Sequence, residues 1–282
     1  MSRLHFILFP NYFSMRITIT RLTLFILLIL GVVPMAHAQF DRWPGFIKNY
    51  EIGYGYSSTW GTHQQIVKAV RSDGKLYDTT ISSNVSSNHG FSAQSGTSVT
   101  LKRLGRVSTL ALGISANYNI YTWNYPSSSG AVLSDSGVKF DYGSGALFTG
   151  ATMNAGLALS ADFKFGAEAM MDKHYHWSWT GGIGVFPSIN LTADVDNADM
   201  TFGLQPFIKT EVGWRGPIVA KLRLLYAFGN VPYLNVANKD GLYGIPNSTY
   251  TTKLTGNGNF TVSLVLLPFS WTYKKSMWYN SN

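Results

Sequence analysis

The sequence predicts an all-β fold: a closed antiparallel transmembrane β-barrel of eight strands, with ten as the alternative count. Three observations carry this. Bulky apolar residues alternate with small or polar ones at a period of two, the signature of a strand with two unlike faces. The alternating runs are about ten to fourteen residues long, matching the 9–11 residues that cross a bilayer better than the five or six of an ordinary strand. Short and long connections fall in turn at opposite ends, as in barrels with tight turns on one side and long loops on the other.

The strands follow in order. In the first (50–60), Tyr50, Ile52, Tyr54, Tyr56 and Trp60 share one parity, opposite Glu51, Gly53, Gly55, Ser57 and Thr59. The second (96–104) leads through the tight turn Leu104-Gly105-Arg106 into the third (107–121), where Leu110, Leu112, Ile114, Tyr118 and Ile120 alternate with Gly113, Ser115, Asn117 and Asn119. The fourth (145–160) lies in an uncharged stretch, 144–161, long enough for a membrane helix. Its Gly145, Gly150 and Gly156, with Leu147, Met153, Leu157 and Leu159 on one parity, favour a strand. Residues 176–191, 201–214 and 218–228 make the fifth to seventh, the last two joined at Arg215-Gly216-Pro217, and 258–271 makes the eighth. Residues 61–95, 122–144 and 229–258 are expected as long polar outer loops. Within the first, Asp73-Gly74 signals a projecting hairpin. Residues 161–175 are too long for a tight turn and leave room for a short helix or a further strand.

Composition agrees. Aromatics make up 15% of the 282 residues and charged residues 13%, about half the share usual in soluble domains. The first 38 residues read as a cleaved secretory signal peptide: Arg3, Arg16 and Arg21 without an acid, an apolar run at 22–33, and Ala36-His37-Ala38 as the exit. Met15 is a plausible alternative start. Residues 39–282 then form one barrel domain in the bacterial outer membrane. The chain has no cysteine, which excludes a disulfide framework, a thiolate metal site and a lipoprotein anchor. Without the three arginines of the presequence, 19 Lys and Arg stand against 14 Asp and Glu with no run of like charge. That gives no case for nucleic acid.

With these features in view, the chain resembles small outer-membrane β-barrel proteins of Gram-negative bacteria, of the OmpA-like and OmpX-like architecture. The resemblance spans residues 50–273. It implies an outer-membrane location and contact with outer-membrane lipids. One departure is the polar tail, 274–282, beyond Phe269, Trp271 and Tyr273.

Parity sends Glu51, Lys102, Lys209, Glu211, Lys221 and Arg223 inward, where an eight-strand barrel is just wide enough to be filled by side chains. Opposite charges there are expected to pair and plug the lumen. Tyr54, Tyr56, Trp60, Trp177, Trp179, Trp214 and Trp271, with Trp43, Trp123, Tyr125 and Trp278, lie near strand ends and read as interface aromatics. The function expected is non-enzymatic: a structural or accessory barrel, touching another envelope protein or a surface glycan through the three loops. A small pore or transporter is the alternative. A third reading is a lipid-modifying enzyme. His176-Trp177-Ser178 resembles the His-x-Ser pair of outer-membrane lipid A deacylases, with Glu168 as the acid, but Trp179 stands where that family has a polar residue. His174 and His176 lack an evident third metal ligand. Asp194, Asp196 and Asp199 lack the glycine and glutamate of a calcium loop. No metal or cofactor is expected.

Overall fold

Eight of the ten described strands close into a ring, because each alternating segment pairs with a neighbour on both edges. A computed structural model describes residues 47–70, 74, 76–124, 128–134, 137–142, 150–170, 174–194, 198–238 and 248–272. The chain divides into two compact units, Met1–Ile47 and Lys48–Asn282, and the barrel belongs to the second. The segment expected as a signal peptide (1–38), with Met15 in it, and Trp43, Tyr125, Asp196, Tyr273, Trp278 and the rest of the tail lie outside the described residues.

The strands are β1 (Glu51–Val70), β2 (Leu76–Arg103), β3 (Ser108–Trp123), β4 (Ser128–Ser134), β5 (Gly137–Tyr142), β6 (Gly150–Gly166), β7 (Trp177–Asp194), β8 (Ala198–Arg215), β9 (Val219–Asn238) and β10 (Ser248–Leu267). The barrel order is β1-β10-β9-β8-β7-β6-β3-β2, antiparallel throughout, and β4 and β5 form a separate hairpin between β3 and β6. The eight-strand barrel expected from the sequence is therefore present.

Several boundaries need correction. Residues 61–95 and 229–258 are not long loops. β1 and β2 stay paired up to Val70 opposite Leu76, and β9 and β10 up to Asn238 opposite Tyr250. On β1 above Trp60 both faces carry polar residues, Thr62 and Gln64 outward and His63 and Gln65 inward, so the alternation that marks a strand is lost. The hairpin expected near Gly74 is the tip of β1 and β2 themselves, with Gly74 at φ +80°. The strand placed at 145–160 runs Gly150–Gly166 and ends in the short helix α1 (Ala167–Met170). Gly166, at φ +82°, makes that turn. The last strand stops at Leu267, where Pro268 removes a ladder donor and a 3-10 turn, Pro268–Thr272, begins.

Four strands bend at one level. The pairing register shifts between Trp60 and Gly61 on β1, Ser87 and His89 on β2, and Gly256 and Gly258 on β10. On β9, Gly229 adopts φ +101° at the same height, since Trp60 opposes Gly258 and Gly258 opposes Phe228. Bulges sharpen local twist, so a row of them turns the upper sections as a group.

Candidate functional site: the lumen and the outer belt

The outward faces are apolar around the ring. Tyr54, Phe91, Leu112, Leu157, Ile183, Leu204, Leu222 and Leu264 come from eight different strands and are all exposed, Ile183 at 66% and Leu264 at 57%. A soluble sandwich would bury this set, and here nothing covers it. The inward faces and α1 carry buried Asn, Thr, Ser and nine charged side chains, Arg215 at the end of β8 among them. A closed sheet of this kind turns its bulky side to hydrocarbon, seals its polar side and pairs its backbone groups along the ladders. The chain is a membrane-spanning β-barrel.

Of the expected interface aromatics, Tyr54, Tyr56, Trp60, Trp177, Trp179 and Trp214 face outward and are exposed. Trp177 and Trp214 meet edge-on at 4.7 Å, in a rung near the short-turn end. The side chain of Trp271 lies outside the described residues. Trp123 is a correction. It is wholly buried inside the barrel with Tyr121 and Tyr233, its indole N–H donating to Thr152 Oγ1 at 2.9 Å.

Inside, four tiers follow one another from the short-turn end. At the floor, α1 tucks Glu168 into the mouth, beside the apolar group Val219, Val265 and Leu267. Above it lies the charge cluster. Lys221 Nζ sits 2.9 Å from Glu51 Oε2, 3.1 Å from Glu168 Oε2 and 2.6 Å from Glu211 Oε2. Arg223 donates from Nε to Glu211 at 2.6 Å, from Nη1 to Gln94 Oε1 at 2.8 Å, and from Nη2 to Glu51. Lys209 pairs with Asp162 at 3.0 Å. Lys164 pairs with Glu168 and donates to Ser98 Oγ at 2.6 Å. Four carboxylates thus face four cations, and the set is electroneutral.

Glycines make room for these groups. A Cβ on Gly182 would stand 2.3 Å from Asp162 Oδ1, one on Gly113 2.6 Å from Asp162 Oδ2, and one on Gly213 3.0 Å from Lys221 Cγ. The third tier is a cavity of about 20 Å³ with both polar and apolar walls. The fourth is the aromatic group of Tyr121, Trp123 and Tyr233 with Val231 and Leu254, where Tyr121 Oη accepts from Asn259.

Glu51, Lys209, Glu211, Lys221 and Arg223 all lie in this cluster. Lys102 does not. It is exposed, because the β2–β3 register shifts between Thr100 and Lys102. Leu101 is the extra residue, so Lys102 opposes the outward Leu110 instead of the inward Thr109. Sequence reasoning missed Asp162, Lys164 and Glu168 as cluster members. The first two continue the inward parity of Ser160 beyond the expected strand end, which was the available signal.

The His-x-Ser arrangement is not assembled. Ser178 is buried and inward, whereas His176 is exposed, its ring 6.2 Å from Trp214 and its Nδ1 3.4 Å from the Arg215 carbonyl. Glu168 is held by Lys164 and Lys221. Asp199 accepts from the backbone N–H of Asn235 at 2.8 Å. Among the described residues no group of three or more His, Asp or Glu is placed to hold a metal ion.

No protein-family model and no curated protein matches the sequence. Solved structures similar in fold include the outer membrane protease OmpT from Escherichia coli, at 9% identity and TM-score 0.35, over 77% of this chain and 96% of that one. Neisserial surface protein A matches at 10% identity and TM-score 0.34 over 77% and 96%. Ail, the attachment invasion locus protein of Yersinia pestis, matches at 11% and 0.25 over 74% and 98%.

Proposed function

We propose that this chain is a non-enzymatic outer-membrane barrel, structural or accessory, with its axis plugged and its outer end serving a partner. The observation that carries the plug is the balanced set of four carboxylates and four cations across the lower lumen. A fixed, neutral network offers a passing ion no net attraction and would have to lose several pairings at once to let it through. Buried charges stripped of a partner are costly, about 3–5 kcal/mol, which holds such a network shut. The aromatic tier above adds a second closure of different chemistry. The partner surface comprises the sections of β1, β2 and β10 above the bend and the β4–β5 hairpin, in place of flexible loops. Another envelope protein or a surface glycan would dock there.

The test is conductance in a planar bilayer. The purified full chain is expected to give no reproducible channel. A steady open state from the wild type would overturn the plugged reading and favour a pore. Activity is tested separately: Ser178→Ala is expected to leave the lipid A acylation pattern unchanged by mass spectrometry, and a changed pattern would overturn the non-enzymatic reading.

A further inference from the structure

The wall of the barrel contains a seam. The β8–β9 ladder ends at Phe207 opposite Ala227, yet β8 continues to Ala198 and β9 to Asn238. Among the described strands this is the one ring pair in which both partners run well beyond their last rung. β9 leaves the ladder at Gly229, and Pro232 has no N–H to offer. The upper edges are joined by side chains instead. Asn190 Nδ2, at 3.2 Å, and Thr201 Oγ1 both donate to the Pro232 carbonyl, and Asp199 accepts from Asn235 N–H.

This seam lies at lipid height. Leu204 and Phe202 beside it are exposed at 62% and 69%. Pro206 and Phe202 stand eight and twelve residues along β8 from Trp214. At about 3.3 Å per residue and a tilt of roughly 40°, that is about 20–30 Å above the lower aromatic ring, the top of an apolar band about 25 Å tall.

Directly behind the last rung is the mid-lumen cavity, and its walls are of two kinds. Phe186, Phe207 and Ala227 form the side next to the seam, Gln94 and Asn117 contribute to the opposite side, and Ser263 on β10 lies between them. Gln94 Nε2, Asn117 Oδ1 and Ser263 Oγ have no hydrogen-bond partner, although all three residues are more than nine-tenths buried. Gln205, the next inward residue above Phe207, also has both amide atoms unpartnered. Buried polar groups are almost always satisfied, so this concentration marks a place built to meet something else.

We propose that the β8–β9 seam is a lateral port through which a small hydroxyl-bearing amphiphile passes from the bilayer into the mid-lumen cavity. A hydroxyl there accepts from Gln94 Nε2 and donates to Asn117 Oδ1, while the apolar part rests on Phe186 and Phe207. The closed cavity, about 20 Å³, has space for about one water. Entry therefore requires β9 above Gly229 to part from β8, which breaks side-chain bonds and no ladder. The route is independent of the plugged axis.

Because the chain has no cysteine, one engineered thiol reports on the cavity. In vesicles containing full-length Ala227→Cys, an N-alkyl maleimide dissolved in the bilayer is expected to label the thiol. A sulfonate-bearing methanethiosulfonate in the water is expected to label it far more slowly, relative to each reagent's rate with a free thiol. Adding Asp199→Ala and Thr201→Val removes two stitches and should speed the maleimide reaction roughly tenfold. Octan-1-ol should protect the thiol where octane does not, and Asn117→Leu should abolish that protection. Leu225→Cys is the second reporter if Ala227→Cys fails to show the heat-modifiable gel migration of a closed barrel. Faster labelling from water, labelling by neither reagent, or a rate indifferent to the two seam substitutions would overturn the port. Equal protection by octane would overturn the hydroxyl site.

Discussion

Lys221 touches three carboxylates at once, and none of them has a solvent alternative. Lys221→Met would leave Glu51, Glu168 and Glu211 facing one another with less positive charge between them. The expected cost is about 3–5 kcal/mol in a urea unfolding titration in lipid or detergent, the usual result of orphaning a buried ion. Lys102→Met should change stability by less than about 0.5 kcal/mol, because Lys102 is exposed at the short-turn rim. The two lysines share a parity pattern in the sequence, and only the bulge at Leu101 separates them. A large cost at Lys102 would contradict that bulge. Inward parity was readable for Glu51, Lys209, Glu211, Lys221 and Arg223, since their strands are regular between them and the nearest apolar neighbours. It was not readable for Lys102, because Leu101 is an ordinary apolar residue and nothing in its chemistry announces an extra position.

Among the elements, α1 shows how one backbone conformation delivers a side chain. Gly166, at φ +82°, reverses β6 so that Glu168 enters the floor of the barrel. A Cβ at Gly166 would also stand 2.2 Å from the Trp177 carbonyl oxygen. Gly166→Ala should therefore cost at least about 1–2 kcal/mol from the left-handed backbone alone, with the clash added. Gly105→Ala, whose Cβ would meet only Ser108 Oγ at 3.4 Å, is the control and should be nearly silent on the same titration. The helix was among the options left open for residues 161–175, but its role was hidden, because four residues carry no periodicity. The upper strand sections were hidden for a different reason. Period-two contrast is strong only where one face meets acyl chains. Above the bend, Thr62, Gln64 and Lys68 face outward on β1 in place of Tyr54, Tyr56 and Trp60, and the contrast fades while the hydrogen-bonded ladder continues.

At the level of the whole molecule, the outward belt and the closed ring make a common prediction. The folded chain should migrate faster on an unheated gel than after boiling, and should stay with membranes through carbonate and urea washes. Release by either wash would contradict the bilayer assignment, and unchanged migration would contradict closure. The architecture was legible because it follows from two repeated signals, strand length and face contrast, each present in several strands. The tiers of the interior were not. Which inward residue meets which depends on the stagger between strands, and stagger is set by bulges such as those at Asn88, Leu101 and Asn257 rather than by residue type.

The stitched stretch between Ala198 and Pro206 also ranks the joints of the cylinder by strength. The first and last strands, β1 and β10, grip each other from Ile52 to Ala69, whereas β8 and β9 hold only from Phe207 to Arg215. Mechanical or thermal failure should therefore begin at β8–β9, far from the chain ends, and amide protons of the upper part of β8 should exchange with deuterium before those where the barrel closes.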